Sequence, residues 1–344
     1  GYKTAQVGKW HLDRTGGTSS DYDPISHGFD RAIPKPPSKG YFLSKPAGEF
    51  EQGDYTTDYL GSTAAKLIDQ WKDDPFYLYF AFHVPHTPIQ GKQSLVDAYA
   101  KKVKSGAKHV NPTYAAMVHS MDEAVGAVVE ALHRNGLNEK TVIIFTSDNG
   151  GLTQRYGRLD GFTDNHPLRR GKGSAYEGGV RVPTIAFWPG ITPAGSTCDE
   201  PIIGIDFYPT LLEIAGLEGD AKHNEAVDGL SIVPLLKNPD AQLERDAIFW
   251  HYPHYHAGGD GPYSAIRARD WRLVQFHEDD SVRLYNLAKD IGEQQDLAGS
   301  KPGLTKKLRD QLESWRKEIG AQMPTPNPKH DPSKATEVSR RASR

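Results

Sequence analysis

Lys9 and His11 stand two residues apart in the opening segment Gly1-Tyr2-Lys3-Thr4-Ala5-Gln6-Val7-Gly8-Lys9-Trp10-His11-Leu12. A fixed cation beside an imidazole that titrates near neutrality suits an anionic substrate that must be held while a proton moves. In an extended segment side chains alternate faces, so Lys9 and His11 are expected to project together with Trp10 packed behind them. A second group, Thr146-Ser147-Asp148-Asn149-Gly150-Gly151, follows an apolar run. Asp148 and Asn149 offer hard oxygen donors that suit calcium or magnesium better than zinc, while an Asp-Asn-Gly turn can also simply end a strand. In Phe82-His83-Val84-Pro85-His86-Thr87-Pro88 the two histidines form either a metal pair or a rigid turn. In Gly171-Lys172-Gly173 a glycine on each side of the lysine lets the backbone approach a ligand closely. This is no P-loop, because His166 stands where the first glycine belongs and Gly173 replaces the Ser or Thr after the lysine. The cluster His251-Tyr252-Pro253-His254-Tyr255-His256 reads as a transition-metal site, as an aromatic surface loop, or as a pocket lining with His254 and Tyr255 near a substrate.

Such residues need a frame. Apolar runs at 76–82, 141–146 and 180–188 read as buried strands, and helical spacing appears at 55–71 and 113–134. In the longer helix Met117, Met121, Val125, Val128 and Leu132 make one stripe, which is core packing rather than a cofactor face. A further helix spans 207–215, with Gly216 as its stop. Strands alternating with helices predict an α/β fold with a mostly parallel sheet covered on both faces. Beyond about residue 240 the pattern changes to short strands at 247–250, 264–267, 271–276 and 282–286, an antiparallel meander, followed by a helix at 304–319. The domain reading is therefore an α/β core over 1–240, an antiparallel subdomain with a terminal helix over 241–322, and a loose Pro/Ser/Lys/Arg tail over 323–344.

Composition narrows the classes. A net charge of −3 over 344 residues gives no basic footprint for nucleic acid. One cysteine, Cys198, excludes an intrachain disulfide framework and any multi-cysteine metal site. No apolar run reaches the ~18 residues of a membrane span.

The opening segment closely resembles the sulfatase signature G-Y-x-T-x-x-x-G-K-W-H. The later segments resemble, in the family's order, its P-H-T-P, its D-N-G and its G-K-G-x-x-Y-E-G-G-x-R-x-P. Pro201 to Gly216 resembles I-D-x-x-P-T-L-x-x-x-A-G, and Leu284-Tyr285-Asn286-Leu287 with Asp290 and Glu293 resembles the closing L-Y-N-L-x-x-D-x-x-E. The resemblance implies an alkaline-phosphatase-like fold, with a mostly parallel sheet between helices and a smaller C-terminal antiparallel sheet plus helix. It implies a sulfuric ester hydrolase in which Lys9 and Lys172 shield the sulfate. His11 and His86 serve the nucleophile and leaving group, and Asp148 and Asn149 are two calcium ligands. His86 points at the sulfate, Lys172 also meets the leaving oxygen, and Glu177 and Arg181 hold the loop together. His83 has no counterpart and is read as structural.

The family's nucleophile is a formylglycine made from the Cys or Ser of a C/S-x-P-x-R motif. No such motif occurs in the 344 residues, and Cys198 sits in Thr197-Cys198-Asp199-Glu200-Pro201, which lacks the required proline and arginine. That nucleophile and an aspartate pair normally precede the opening signature. The expectation is a piece truncated at its N-terminus, inactive alone, with sheet edges open to aggregation. Carbohydrate sulfate monoesters are the expected substrates, and a periplasmic or secreted location follows from the resemblance. The alternatives are a phosphodiesterase or phosphonate hydrolase of the same superfamily, or a non-catalytic binder of sulfated glycans.

Overall fold

The computed structural model describes residues 1–12, 21–104, 106–153, 161–256 and 259–329. From residue 330 the expected tail lies outside the described residues. Two compact units divide the chain, Gly1–Thr141 and Val142–Arg344.

The first unit contains β1 (Lys3–Gly8), β2 (Arg31–Ile33), β3 (Ser38–Lys39), β4 (Phe42–Leu43), α1 (Thr56–Gln70), β5 (Phe76–Ala81), α2 (Gln93–Ala100) and α3 (Pro112–Arg134). β1 lies between β2 and β5 and is parallel to both, with Lys3 opposite Phe76 and Gly8 opposite Ala81. Ala5 and Val7, on one side of β1, bury against Leu60, Ala64, Leu67 and Trp71. On α1 those residues recur at helical spacing, so one stripe covers the sheet. The N-terminus of α3 follows the sequence rules: the Asn111 side chain accepts from the Tyr114 N–H, and Pro112 occupies the first turn. The predicted stripe is buried at Met117 and Leu132, while Met121, Val125 and Val128 are half-buried. Ala116, Ser120, Ala124 and Ala131 are buried too, small residues that let α1 and α3 approach closely. Arg134 binds Asp69 through two hydrogen bonds and ties the two helix ends.

The second unit contains β6 (Ile143–Thr146), α4 (Glu177–Val180), β7 (Thr184–Phe187), α5 (Phe207–Ala215), α6 (Ala221–Asn224), α7 (Val233–Lys237), β8 (Ile248–Tyr252), β9 (Tyr263–Ala268), β10 (Trp271–Phe276), β11 (Val282–Asn286) and α8 (Pro302–Glu318). β6 and β7 pair antiparallel, so the parallel order of β1, β2 and β5 does not extend to them. The strand read at 180–188 is shorter than predicted, because Glu177–Val180 takes a helical turn first. α5 matches its predicted bounds and ends at Gly216 in the left-handed region. β8 to β11 form the expected meander, ordered β11-β10-β9-β8. α8 covers it: Leu308 and Leu312 pack on Ile266, Leu273 and Leu284, and Trp315 stacks on Phe249 with centroids 4.8 Å apart.

Neither small sheet is covered throughout. Tyr77 and Tyr79 of β5 are exposed, with Phe29 stacked beside them, and Ile185 of β7 is 63% exposed.

Candidate functional site

β1 ends at Gly8, where the chain turns. A Cβ on Gly8 would fall 2.1 Å from the Ala81 carbonyl oxygen, and its φ is +96°, so only glycine fits this turn. Lys9 therefore lies just past the strand, held by its N–H to Ala81 O at 2.7 Å and by Gln6 Nε2 on its carbonyl. This corrects the strand-face expectation for Lys9 and His11. His11 has φ +58°, so the alternation of an extended chain ends before it and its side chain is exposed. Trp10 packs edge-on against His27 and Phe29 and donates its indole N–H to Tyr22 O.

The turn after β5 carries His83 and His86. The buried Tyr41 hydroxyl bridges their carbonyl oxygens at 2.8 and 3.0 Å, which fixes the turn. His86 is exposed, with Nδ1 3.1 Å from its neighbour's carbonyl oxygen, Thr87 O. The same Nδ1 lies 3.2 Å from Thr87 Oγ1, so Thr87 holds that side of the ring through both its backbone and its side chain. Burial pushes the His83 imidazole down to about 4, helped by the charges of Lys35, Lys9 and His86. These groups thus form one electropositive surroundings in the first unit. Lys35 joins it without any signal in sequence, anchored by Nζ on Gly40 O and lying over the Tyr41 ring.

In the second unit β6 delivers Asp148 and Asn149 at its C-terminal end, where an α/β strand presents ligand groups. Asp148 is exposed, and Asn149 donates its amide N–H to Gly150 O at 2.9 Å, which leaves its side-chain oxygen as an acceptor. The Lys172 segment is stitched to this loop. Lys172 N–H donates to Gly151 O at 3.1 Å and Gly150 N–H to Gly179 O at 3.1 Å. The Asn165 amide reaches the carbonyls of Gly151, Arg170 and Gly178 within 3.1 Å. The oxygen-donor loop and the lysine loop therefore form one backbone assembly. Behind it, Glu177 pairs with the wholly buried Arg272 at 2.9 Å, and Arg267 and Arg181 stand farther from it. Glu177 thus serves the scaffold.

The histidine cluster is dispersed. His251 bonds Ser264 Oγ at 2.8 Å, which in turn meets His277 and Arg316, a network under α8. His254 is exposed and packs edge-on to Tyr252. His256 is the member that reaches the lysine loop: a Cβ on Gly173 would fall 2.2 Å from its Nδ1. Burial, then the charge of Lys172, lowers its pKa. Asp260 follows, accepting from Ser174 Oγ at 2.7 Å and from Ala175 N–H. Sequence named His256 only as one member of the histidine cluster and gave no signal for Asp260; the contacts across the fold single them out.

Among the described residues no three His, Cys, Asp or Glu side chains gather as a metal site. Asp148 and Asn149 fit a hard cation by donor type, but supply two of the about six to eight oxygens calcium takes.

A family model described as Sulfatase matches residues 1–217, and one described as N-sulphoglucosamine sulphohydrolase, C-terminal, matches residues 171–318. A sulfatase of Formosa agariphila is 37% identical over 284 residues, covering 76% of this chain and 50% of that protein. Human arylsulfatase A is 30% identical over 366 residues, covering 91% and 68%. The chain thus spans about half of the first relative's length. Among solved structures, Ps i-CgsB in complex with k-i-k-neocarrahexaose superposes with a TM-score of 0.73 at 27% identity, covering 99% of this chain and 76% of that one. The PsFucS1 sulfatase from Pseudoalteromonas sp. gives 0.66 at 23% identity, covering 94% and 73%, a likeness of fold. The alkaline-phosphatase-like α/β architecture with its C-terminal antiparallel sheet is thus the one observed. With the ordered motifs, this architecture and a family match over residues 1–217 in agreement, the chain belongs to the sulfatase family.

Proposed function

We propose that the protein hydrolyses sulfate monoesters of carbohydrates by attack at sulfur. The observation that carries this reading is the backbone assembly that fixes Lys172 beside the Asp148–Asn149 loop. A sulfate monoester keeps its negative charge on oxygen while sulfur is attacked, so fixed cations aimed at those oxygens lower the barrier. Lys172 neutralises sulfate and the charge that grows on the leaving oxygen, and Lys9 contributes a second fixed charge. His86 accepts or returns a proton at the ester oxygen, and His11 serves the nucleophile. Asp148 and Asn149 would hold calcium, which when bound supplies further shielding of the sulfate oxygens. His254 faces the sugar. The nucleophile is a formylglycine, as in the family, and the protein acts in the periplasm or outside the cell. The sugar assignment draws support from the oligosaccharide bound to the 27% identical solved relative.

The test compares 4-methylumbelliferyl sulfate with bis(4-nitrophenyl) phosphate as substrates of the full-length, calcium-supplied protein. Sulfate release is expected to dominate, and Lys172→Ala to reduce kcat/KM by about 10²- to 10³-fold, the scale of losing one charge-stabilising donor. Faster cleavage of the phosphate diester, or an unaffected Lys172→Ala protein, contradicts the proposal.

A further inference from the structure

Three unfavourable features coincide at Glu293. It is fully buried, its φ is +50° where glycine or asparagine would be cheaper, and its Oε1 has no hydrogen-bond partner among the described residues. A residue kept in a left-handed conformation with a buried carboxylate points to a task for that side chain.

The task is visible in what it holds. Glu293 Oε2 accepts the Glu177 N–H at 2.8 Å, five residues after Lys172. Its own carbonyl oxygen accepts from Arg169 Nη1 at 2.8 Å, three residues before Lys172. One residue therefore closes both feet of the arch that carries the lysine. Its neighbours stiffen the same feet. Arg169 lies over the Tyr176 ring at 4.0 Å and reaches the Tyr285 hydroxyl. Arg272, from β10, donates to Ala175 O and stands 3.6 Å from Glu293 Oε1. The charges facing Glu293 are thus Arg272 from the sheet and Arg169 and Glu177 from the arch. The phenols of Tyr176 and Tyr285 complete that surrounding.

We propose that Glu293 is a positioning residue for Lys172, holding the glycine-flanked lysine in place by clamping residues 169 and 177 to the C-terminal sheet. This rests on the reading of Lys172 as a contact of the sulfate and its leaving oxygen. Burial also pushes the Glu293 carboxyl up to about 7, so the clamp changes charge near neutrality.

The experiment uses two neutral amides in the full-length, calcium-supplied protein with 4-methylumbelliferyl sulfate. Glu293→Asn accepts the left-handed backbone but is one methylene too short for the Glu177 N–H, whereas Glu293→Gln keeps the reach. Misplacing a group that acts on developing charge damages turnover more than ground-state binding, so Glu293→Asn should lower kcat about 10- to 100-fold with KM within about threefold. Glu293→Gln should retain most of kcat, and amide exchange over 169–177 should quicken only in the Asn protein. The inference is overturned if the Asn protein keeps wild-type kcat, if Gln is as damaged as Asn, or if Asn fails to fold. Lys172→Ala separates the two levels. If it is as active as wild type, the reading of Lys172 falls; if it is crippled while Glu293→Asn is not, only the clamp falls.

Discussion

Lys9, His86 and Lys172 stood out as candidates because each sits in a short segment whose neighbours, glycine or proline, fix backbone geometry. Their surroundings were not legible. Lys35, His256, Asn165 and Asp260 meet those segments only through the fold, at separations no local pattern encodes. His83 is the clearest case, since sequence offered it as half of a histidine pair or as a structural residue, and its surroundings make it a neutral ring among cations. Its folded pKa, about 4, lies below the 6.5 of an unburied histidine, so the folded chain refuses a proton that the unfolded chain accepts. The stabilisation is complete above pH 6.5 and is lost as pH falls from 6.5 through 4. Thermal melts of wild type and His83→Gln from pH 7 to 4 should converge toward acid, wild type losing an extra ~1–3 kcal/mol. Parallel pH curves for the two proteins would contradict this.

At the scale of elements, periodicity found the helices and strands wherever the apolar pattern was long. α3, α5 and β8 to β11 lie within a few residues of their predicted bounds. It erred where a special backbone angle intervenes. Gly8 ends β1 before Lys9, and the helical turn Glu177–Val180 takes the first residue of the strand read at 180–188. Pairing direction was also hidden, because β6 and β7 are apolar runs like the parallel strands yet run antiparallel. α8 docks on the meander through its leucines and Trp315. Leu312 is wholly buried on the meander between Leu308 and Trp315. Leu312→Ala should destabilise the second unit by ~2–5 kcal/mol through lost burial and the cavity left behind. Denaturant melts followed by tryptophan fluorescence would measure it, and a loss below ~1 kcal/mol would mean that α8 is not part of the cooperative core.

For the molecule as a whole, membership of the sulfatase family was readable from the order of its motifs, whereas substrate was not. In loop 251–256, which the proposal turns toward a sugar, three histidines share a sequence but occupy three different settings. What the family and the stitched Lys172 and Asp148–Asn149 loops support in common is attack at sulfur rather than at carbon. Hydrolysis of glucosamine 6-sulfate by the full-length, calcium-supplied protein in ¹⁸O-labelled water, with both products analysed by mass spectrometry, tests that claim most directly. Label found in the released sulfate is the predicted result. Label in the sugar's C6 hydroxyl, or no release of sulfate at all, would contradict the account.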